Sequence, residues 1–478
     1  MSNNTVLNTP SSTAAATEEL AQGDRATTLH PFTAVRAYEA DETGGPRIIE
    51  SGKGIRITDS DGKTSIDGFA GLYCVNIGYG RTEVADAISA QAHQLAYYHS
   101  YAGHTTRALA RLSRRLIDLA PGNMRKVFYG LSGSDANETQ AKLVWHYHNL
   151  IGKPNKKKII ARERGYHGCS VVSGSMTGMN FYHAHMDLPV LGILHTGVPH
   201  YYWGAEAGES ELDFSRRRAA ELEQMILAEG ADTVGAFIAE PVLGTGGIIP
   251  PPQGYWDEIQ KVLKKYDVLL IADEVVTAFG RIGAWFGSTV YGMKPDLITV
   301  AKGLTSAYAP LSVVIVGDRV ADALSSHSDE IGVFSHGYTY SGHPICVAAA
   351  NANLDVLQKD HIVEHVAELG TALRDALADA VKDSPIIGEV RGVGMLAAIE
   401  FVADPANKVR FDPSHKVGAK MSAACLANGL IARAMPHGDI LGFAPPLITT
   451  LDEINEIAGI VRKSVTSVCG DLAKAGVI

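Results

Sequence analysis

Between residues 124 and 317 the chain sets six short apolar runs among helical stretches, and this alternation restricts its fold more than any other feature. The runs are KVFYG, KKIIARE, TVGAFIAEP, VLLIADEV, PDLITVA and LSVVIVG. Apolar residues at helical spacing mark SDANETQAKLVWHYHNLI, SRRRAAELEQMILAEG and PQGYWDEIQKVLKKYD between them. A run such as Val268–Ala272 has no polar alternate, so both of its faces must be covered. Covered strands joined by helices predict an α/β domain whose sheet is mostly parallel and flanked by helices.

The flanking regions read differently. Residues 47–70 alternate short apolar stretches with Asp-Gly and Ser-Gly turns, which predicts an antiparallel meander. Residues 82–98 and 105–120 carry helical spacing, and Pro121-Gly122 ends the second helix. The Tyr- and His-rich stretch after KKIIARE is expected to be a long loop. Residues 344–380 return to helix, GEVRGVGMLAAIEFV reads as two strands, and a helix pair closes the chain. The expected organisation is a mobile leader over 1–28 and the N-terminal part of a smaller α+β domain over 29–75. A large domain follows over 76–340, and 341–478 supplies the C-terminal part of the smaller one.

Composition removes several function classes. Hydrophobic residues at 46% and charged residues at 20% fit a globular chain and exclude bulk disorder. Fifty-two acids against 42 bases give a net charge of -10, which argues against nucleic acid as a partner. No run approaches the roughly 20 apolar residues of a membrane span. The first residues lack the basic and apolar regions of a secretory signal. Five scattered cysteines without a CxxC point away from disulfides and zinc, toward a reducing cytoplasm.

Ligands of open α/β sheets bind beyond the carboxyl ends of the strands, so the residues that follow each run are the candidates. After KVFYG come Ser132-Gly133-Ser134 and a helix start, a ready anion site. A capped helix after a glycine turn would look the same. After VLLIA come Asp273 and Glu274, carboxylates at a buried position that need a partner. That partner is either Arg281, in a purely structural ion pair, or a protonated heterocyclic nitrogen. After PDLITVA comes Lys302, flanked by Ala and Gly. A buried lysine is a candidate nucleophile toward a carbonyl, whereas one that snorkels to the surface is not. A phosphate cradle, a carboxylate and a lysine together match pyridoxal 5′-phosphate.

Competing motifs are missing. Gly392 and Gly394 lack the third glycine of a dinucleotide fingerprint, and Gly244, Gly246 and Gly247 run into prolines instead of a helix. There is no GxxxxGK[ST] and no G-x-S-x-G. His146/His148 and His183/His185 are two residues apart, which does not place them on one helical face, so no metal is expected.

The residues resemble the class III aminotransferases, pyridoxal-phosphate enzymes of fold type I, over about residues 30 to 470. The likeness rests on Gly71-Leu72-Tyr73, Ser132 to Glu138, Tyr166-His167-Gly168, Glu240-Pro241, Asp273-Glu274-Val275, Phe279-Gly280-Arg281, Ala301-Lys302-Gly303 and Tyr338 to Pro344. Within the class it is similar to amine–pyruvate and ω-amino acid–pyruvate enzymes. The resemblance implies that Lys302 binds the cofactor's aldehyde carbon and shuttles the proton. Asp273 would hold the pyridine nitrogen protonated, and Gly133 and Ser134 would bind the phosphate. Tyr166 and Val275 would cover the two ring faces, with His167 and Glu240 beside the cofactor. Thr339 would reach the phosphate of a partner subunit, making a homodimer necessary, and such dimers could pair into a tetramer. Arg433 would bind the substrate carboxylate or pair with Glu240, while Tyr73, Tyr101, Thr245 and Phe32 would line substrate pockets. Tyr73 stands where many such relatives carry Trp, and Thr245 where they carry Ala, which bears on substrate size. The implied activity is ping-pong transfer of an amino group from a primary amine or ω-amino acid to a keto acid, pyruvate. An aminomutase or racemase of the same fold is the alternative, and a nucleotide-dependent dehydrogenase is the rival of another class.

Overall fold

The computed structural model describes residues 14–327, 329 and 332–478. Its centre is a seven-stranded sheet: β4 (Met124–Gly130), β5 (Lys158–Arg162), β6 (Ile193–Thr196), β7 (Val234–Ala239), β8 (Leu269–Asp273), β9 (Leu297–Val300) and β10 (Ser312–Gly317). The spatial order is β4-β10-β9-β8-β7-β5-β6, and only β10 runs antiparallel to its neighbours. Because β10 separates β4 from β9, those two strands point the same way. The carboxyl ends of β4, β8 and β9 therefore reach one edge of the sheet. Side-chain alternation explains the apolar runs: Leu269 and Ile271 face the cluster under the helix Gly133–Leu150, whereas Leu270 and Ala272 enter the main core on the other face.

β6 lies inside the stretch expected to be a long loop. Its four residues hold two apolar ones, too short a pattern to register, and parallel pairing to β5 makes it a strand. The meander forms as β1 (Ile49–Lys53), β2 (Arg56–Asp59) and β3 (Thr64–Asp67). It is completed by β13 (Leu430–Ile431), parallel to β3, so the two ends of the chain share one sheet. A third sheet, in the order β11-β12-β15-β14, contains β11 (Ile387–Val393), β12 (Leu396–Phe401), β14 (Arg433–Ala434) and β15 (Ile440–Phe443).

The leader assigned to 1–28 differs in its second half. Ala14–Thr27 form a helix, and its Arg25 donates to the Gly45 carbonyl at 3.0 Å while Asp24 accepts from the Tyr38 hydroxyl at 3.1 Å. Those contacts come from residues 38–45, which no local pattern announces. The first 13 residues lie outside the described ones. No helix among the described residues is long and apolar enough to cross a membrane, and all five cysteines are free.

Candidate active site

The chain turns sharply from β4 into the helix Gly133–Leu150. Ser132 and Asp135 cap that helix reciprocally, and Asp135 also accepts from the Leu131 N–H at 2.8 Å and the Ser312 hydroxyl at 3.0 Å. A side chain at Gly130 would stand 2.5 Å from the Asp135 carboxylate, so this turn admits only glycine. The capping box engages the Asp135 N–H, which leaves the Gly133 and Ser134 amides at the positive end of the helix dipole. Val275 packs across from them: a Cβ on Gly133 would lie 3.2 Å from its methyl group.

Asp273 ends β8, 3% exposed. Its Oδ2 lies 2.8 Å from Nδ1 of buried His167 and accepts from the Asn137 amide at 2.9 Å; its Oδ1 accepts from the Val275 N–H at 3.1 Å. Asn137 also donates to the His167 carbonyl at 2.8 Å and accepts from Thr299, which accepts in turn from Gln140. Nothing in that network is a cation of fixed charge. The structural alternative with Arg281 does not form: Arg281 donates to the Asn76 side chain and the Pro445 carbonyl instead. Glu274 points elsewhere, accepting from the Gly287 and Ser288 N–H groups and from Thr277. Burial raises its carboxyl pKa, and those donors oppose the rise.

Lys302 follows β9 with φ of 41°, a left-handed conformation uncommon for a lysine. Among the described residues its Nζ has no hydrogen-bond or ion-pair partner, and it lies 5.8 Å from the ring centroid of Tyr73. Lys302, Asp273, Ser134, Tyr166, Glu240 and Thr245 all line one cavity of about 180 Å³. Gly133, His167 and Val275 line it too. This donor set fits pyridoxal phosphate: amides for the phosphate, a carboxylate for the ring nitrogen, an apolar floor and an amine without a partner.

Glu240 is fully enclosed, and burial raises its pKa. It accepts from the Tyr166 N–H at 3.1 Å and the Gly244 N–H at 2.7 Å. The expected pairing with Arg433 is absent, because backbone donors already satisfy both oxygens. Arg433 lies 5.5 Å from the Phe69 ring, without a hydrogen-bond or ion-pair partner among the described residues. Phe69 and Tyr73 pack at 4.4 Å, and burial raises the phenol pKa of Tyr73.

Five expected residues are not part of this cavity's lining in the single chain: Tyr73, Arg433, Phe32, Tyr101 and Thr339. Phe32, 72% exposed, meets Tyr182 edge-on at 5.1 Å, and Tyr182 in turn lies 5.5 Å from Tyr166. Tyr101 is exposed and lines a separate, larger cavity with Phe334 and His336. Thr339 is exposed, its carbonyl accepting from the Tyr97 hydroxyl at 2.7 Å. Sequence reasoning missed Asn137 and Tyr182. Asn137 was within reach, because it stands four residues after Gly133 and so shares its helical face. Tyr182 sits in an irregular stretch that carries no periodic signal.

Comparison with known proteins adds the relatives of this site. The model of the family "Aminotransferase class-III" matches residues 37–465. An uncharacterised aminotransferase of Sinorhizobium fredii is 64% identical over 96% of this chain and 98% of the relative. A diaminobutyrate–2-oxoglutarate transaminase of Halomonas elongata is 56% identical over the same shares. Among solved structures, an ω-transaminase from Pseudomonas jessenii in complex with PMP superposes with a TM-score of 0.90 at 41% identity, covering 95% of this chain and 98% of the other.

Proposed function

The chain belongs to the class III aminotransferases, and from that premise we propose that it moves an amino group from a primary amine or ω-amino acid to pyruvate by a ping-pong mechanism. Pyridoxal phosphate, when bound, supplies an electron-accepting ring that carries the amino group between the two half-reactions. The protein's own groups do the rest. Gly133 and Ser134 hold the phosphate with backbone N–H groups. Asp273, oriented by His167 and Asn137, keeps a proton on the pyridine nitrogen. Lys302, whose amine has no partner among the described residues, would hold the cofactor at its aldehyde carbon and would serve as the acid–base group for the proton at the reacting carbon. Tyr166 and Val275 exclude water from the two ring faces.

The observation that carries the choice of acceptor is the cationic inventory. Lys302 is the only cation that lines the cavity among the described residues. Arg433, near Tyr73 and Phe69, is one unengaged guanidinium. One fork suits one carboxylate. Pyruvate presents one, whereas 2-oxoglutarate needs a second anchor. The Halomonas relative, named for 2-oxoglutarate, favours the second reading. A donor panel run with each keto acid decides: alanine formation supports the first reading, and glutamate formation without alanine overturns it. Turnover without any keto acid would instead indicate an aminomutase or racemase.

The assembly proposed for this reaction is a homodimer in the cytoplasm. Thr339 and Tyr101 lie on exposed segments where a second copy would meet them. The free cysteines fit a reducing compartment.

A further inference from the structure

The short turn Asn180–His183 stands between two cavities. Tyr182 faces Tyr166 on the cofactor side, whereas Phe181 lines a second cavity of about 600 Å³ and lies 6.2 Å from His437. Arg164, Trp203 and Arg218 wall this second space from one part of the chain, and Arg410 and His437 from the other. Three lining side chains are arginines; Glu163, exposed, is the one carboxylate among the lining residues.

Arg164 is the anomaly. Its Nε donates to the Gly246 carbonyl at 2.8 Å and its Nη1 lies 3.3 Å from His200 Nδ1. Its Nη2 is buried and has no partner. Among the described residues no carboxylate stands within ion-pair distance of it. Burial lowers its pKa to about 10, so it stays charged at neutral pH. Glu400 acts on this charge only from beyond ion-pair distance, and an orphaned N–H group at Nη2 is unfavourable. The backbone at Arg164 is also left-handed, with φ of 63°. Strain of that kind persists where surrounding structure enforces it, and it gathers at ligand clamps.

The other donors converge on the same space. Arg410 lies 3.7 Å over the ring of Trp203, which orients its planar fork, and its Nη1 stands 3.7 Å from Glu400. The Arg218 guanidinium is already paired with Glu221, which leaves Arg164 as the lining arginine without a carboxylate in ion-pair distance. A metal ion is the poorer occupant. His200, Glu389 and Glu400 do bring ligand atoms within 4.8 Å of one another. However, Arg391 Nη1 already stands 2.9 Å from Glu389 and 2.7 Å from Glu400, so the protein supplies that cation itself.

We propose that this cavity binds a small organic oxyanion, a carboxylate or a phosphate ester, between Arg164 and Arg410. Its volume falls in the range of small-molecule sites, roughly 300–1,000 Å³, and so accommodates an organic body beyond the charged head. Phe181 and the imidazole of His437 offer that body an apolar wall. This cavity and the cofactor cavity share no lining residue.

Calorimetric titration of the cofactor-loaded protein with inorganic phosphate and, separately, citrate tests this. At least one should bind at one site per chain, and the tighter of the two identifies the head group. Arg410→Gln, at a half-exposed position, should weaken that binding roughly 10- to 150-fold, the loss expected of one charge-assisted contact. Arg164→Gln should do the same, and Arg433→Ala should not. Amine turnover by Arg410→Gln should equal that of the parent. No binding of either anion in the millimolar range, or binding that Arg410→Gln leaves unchanged, overturns the proposal.

Discussion

The two sides of the cofactor cavity are built in opposite ways. On the inner side, Gly133, Asp273 and Lys302 stand at the ends of three parallel strands, and a closed hydrogen-bond network fixes the carboxylate. The outer side consists of the segments expected to complete it: Phe32, Tyr101 and Thr339 are exposed, and none of them lines Lys302's cavity in the same chain. The inner side is complete within one chain because strand order sets it. The outer residues are exposed in one chain, and their part in the site rests on the proposed dimer. Chemistry should therefore respond to inner substitutions and assembly to outer ones.

The largest expected effect is on the inner side. Lys302→Ala should abolish turnover and covalent trapping of the cofactor by borohydride, while the circular dichroism spectrum stays that of the parent. Trapping through a different lysine would break the assignment. Asp273→Asn keeps the shape of the network and removes its charge. A preorganised electrostatic partner is worth about 10²–10³-fold in rate, and turnover within a few-fold of the parent would make Asp273 structural.

Arg433 belongs to neither side fully, which makes it the sharper probe. Arg433→Ala should slow the pyruvate half-reaction roughly 10–150-fold. The half-reaction with a simple amine, followed in a single turnover, should change little. Equal losses in both would show that Arg433 serves the fold or the cofactor. On the outer side, Thr339→Ala should weaken cofactor affinity, and mixing it with Lys302→Ala should restore activity through hybrid dimers. No recovery after verified subunit exchange would falsify the shared site.

The smallest effect concerns the helix that carries the cradle. His148, on that helix, has its pKa lowered by burial to about 4. An unfolded histidine titrates near 6.5. The unfolded chain therefore binds this proton first, and stability falls as pH drops from about 6.5 toward 4. Its contribution is fully present above pH 6.5. His148→Gln should flatten the thermal-midpoint curve over that interval; an unchanged slope would assign the acid sensitivity to other groups.

Legibility followed the length of each pattern. Runs of five or more apolar residues marked β7, β8 and β10, and three of the site's residues were found simply by standing just after a run. β6 escaped because four residues hold too little periodicity, and the helix Ala14–Thr27 because its anchors lie 14 to 20 residues away. Nearness in sequence made Arg281 the structural alternative as partner of Asp273, yet it is spent on Asn76 and Pro445, over 150 residues distant on either side.

The amino-acid sequence by itself determined the α/β class, the strand ends and the residue types that stand there. Each is a local property, set by apolar periodicity and by the residue that breaks it. Only the tertiary structure decided that β10 inverts between β4 and β9, that His167 and Asn137 orient Asp273, that Glu240 is satisfied without Arg433, and that the Nη2 of Arg164 is left without a partner. These depend on which distant segments share a low-dielectric interior, where each polar group must find a partner across the fold.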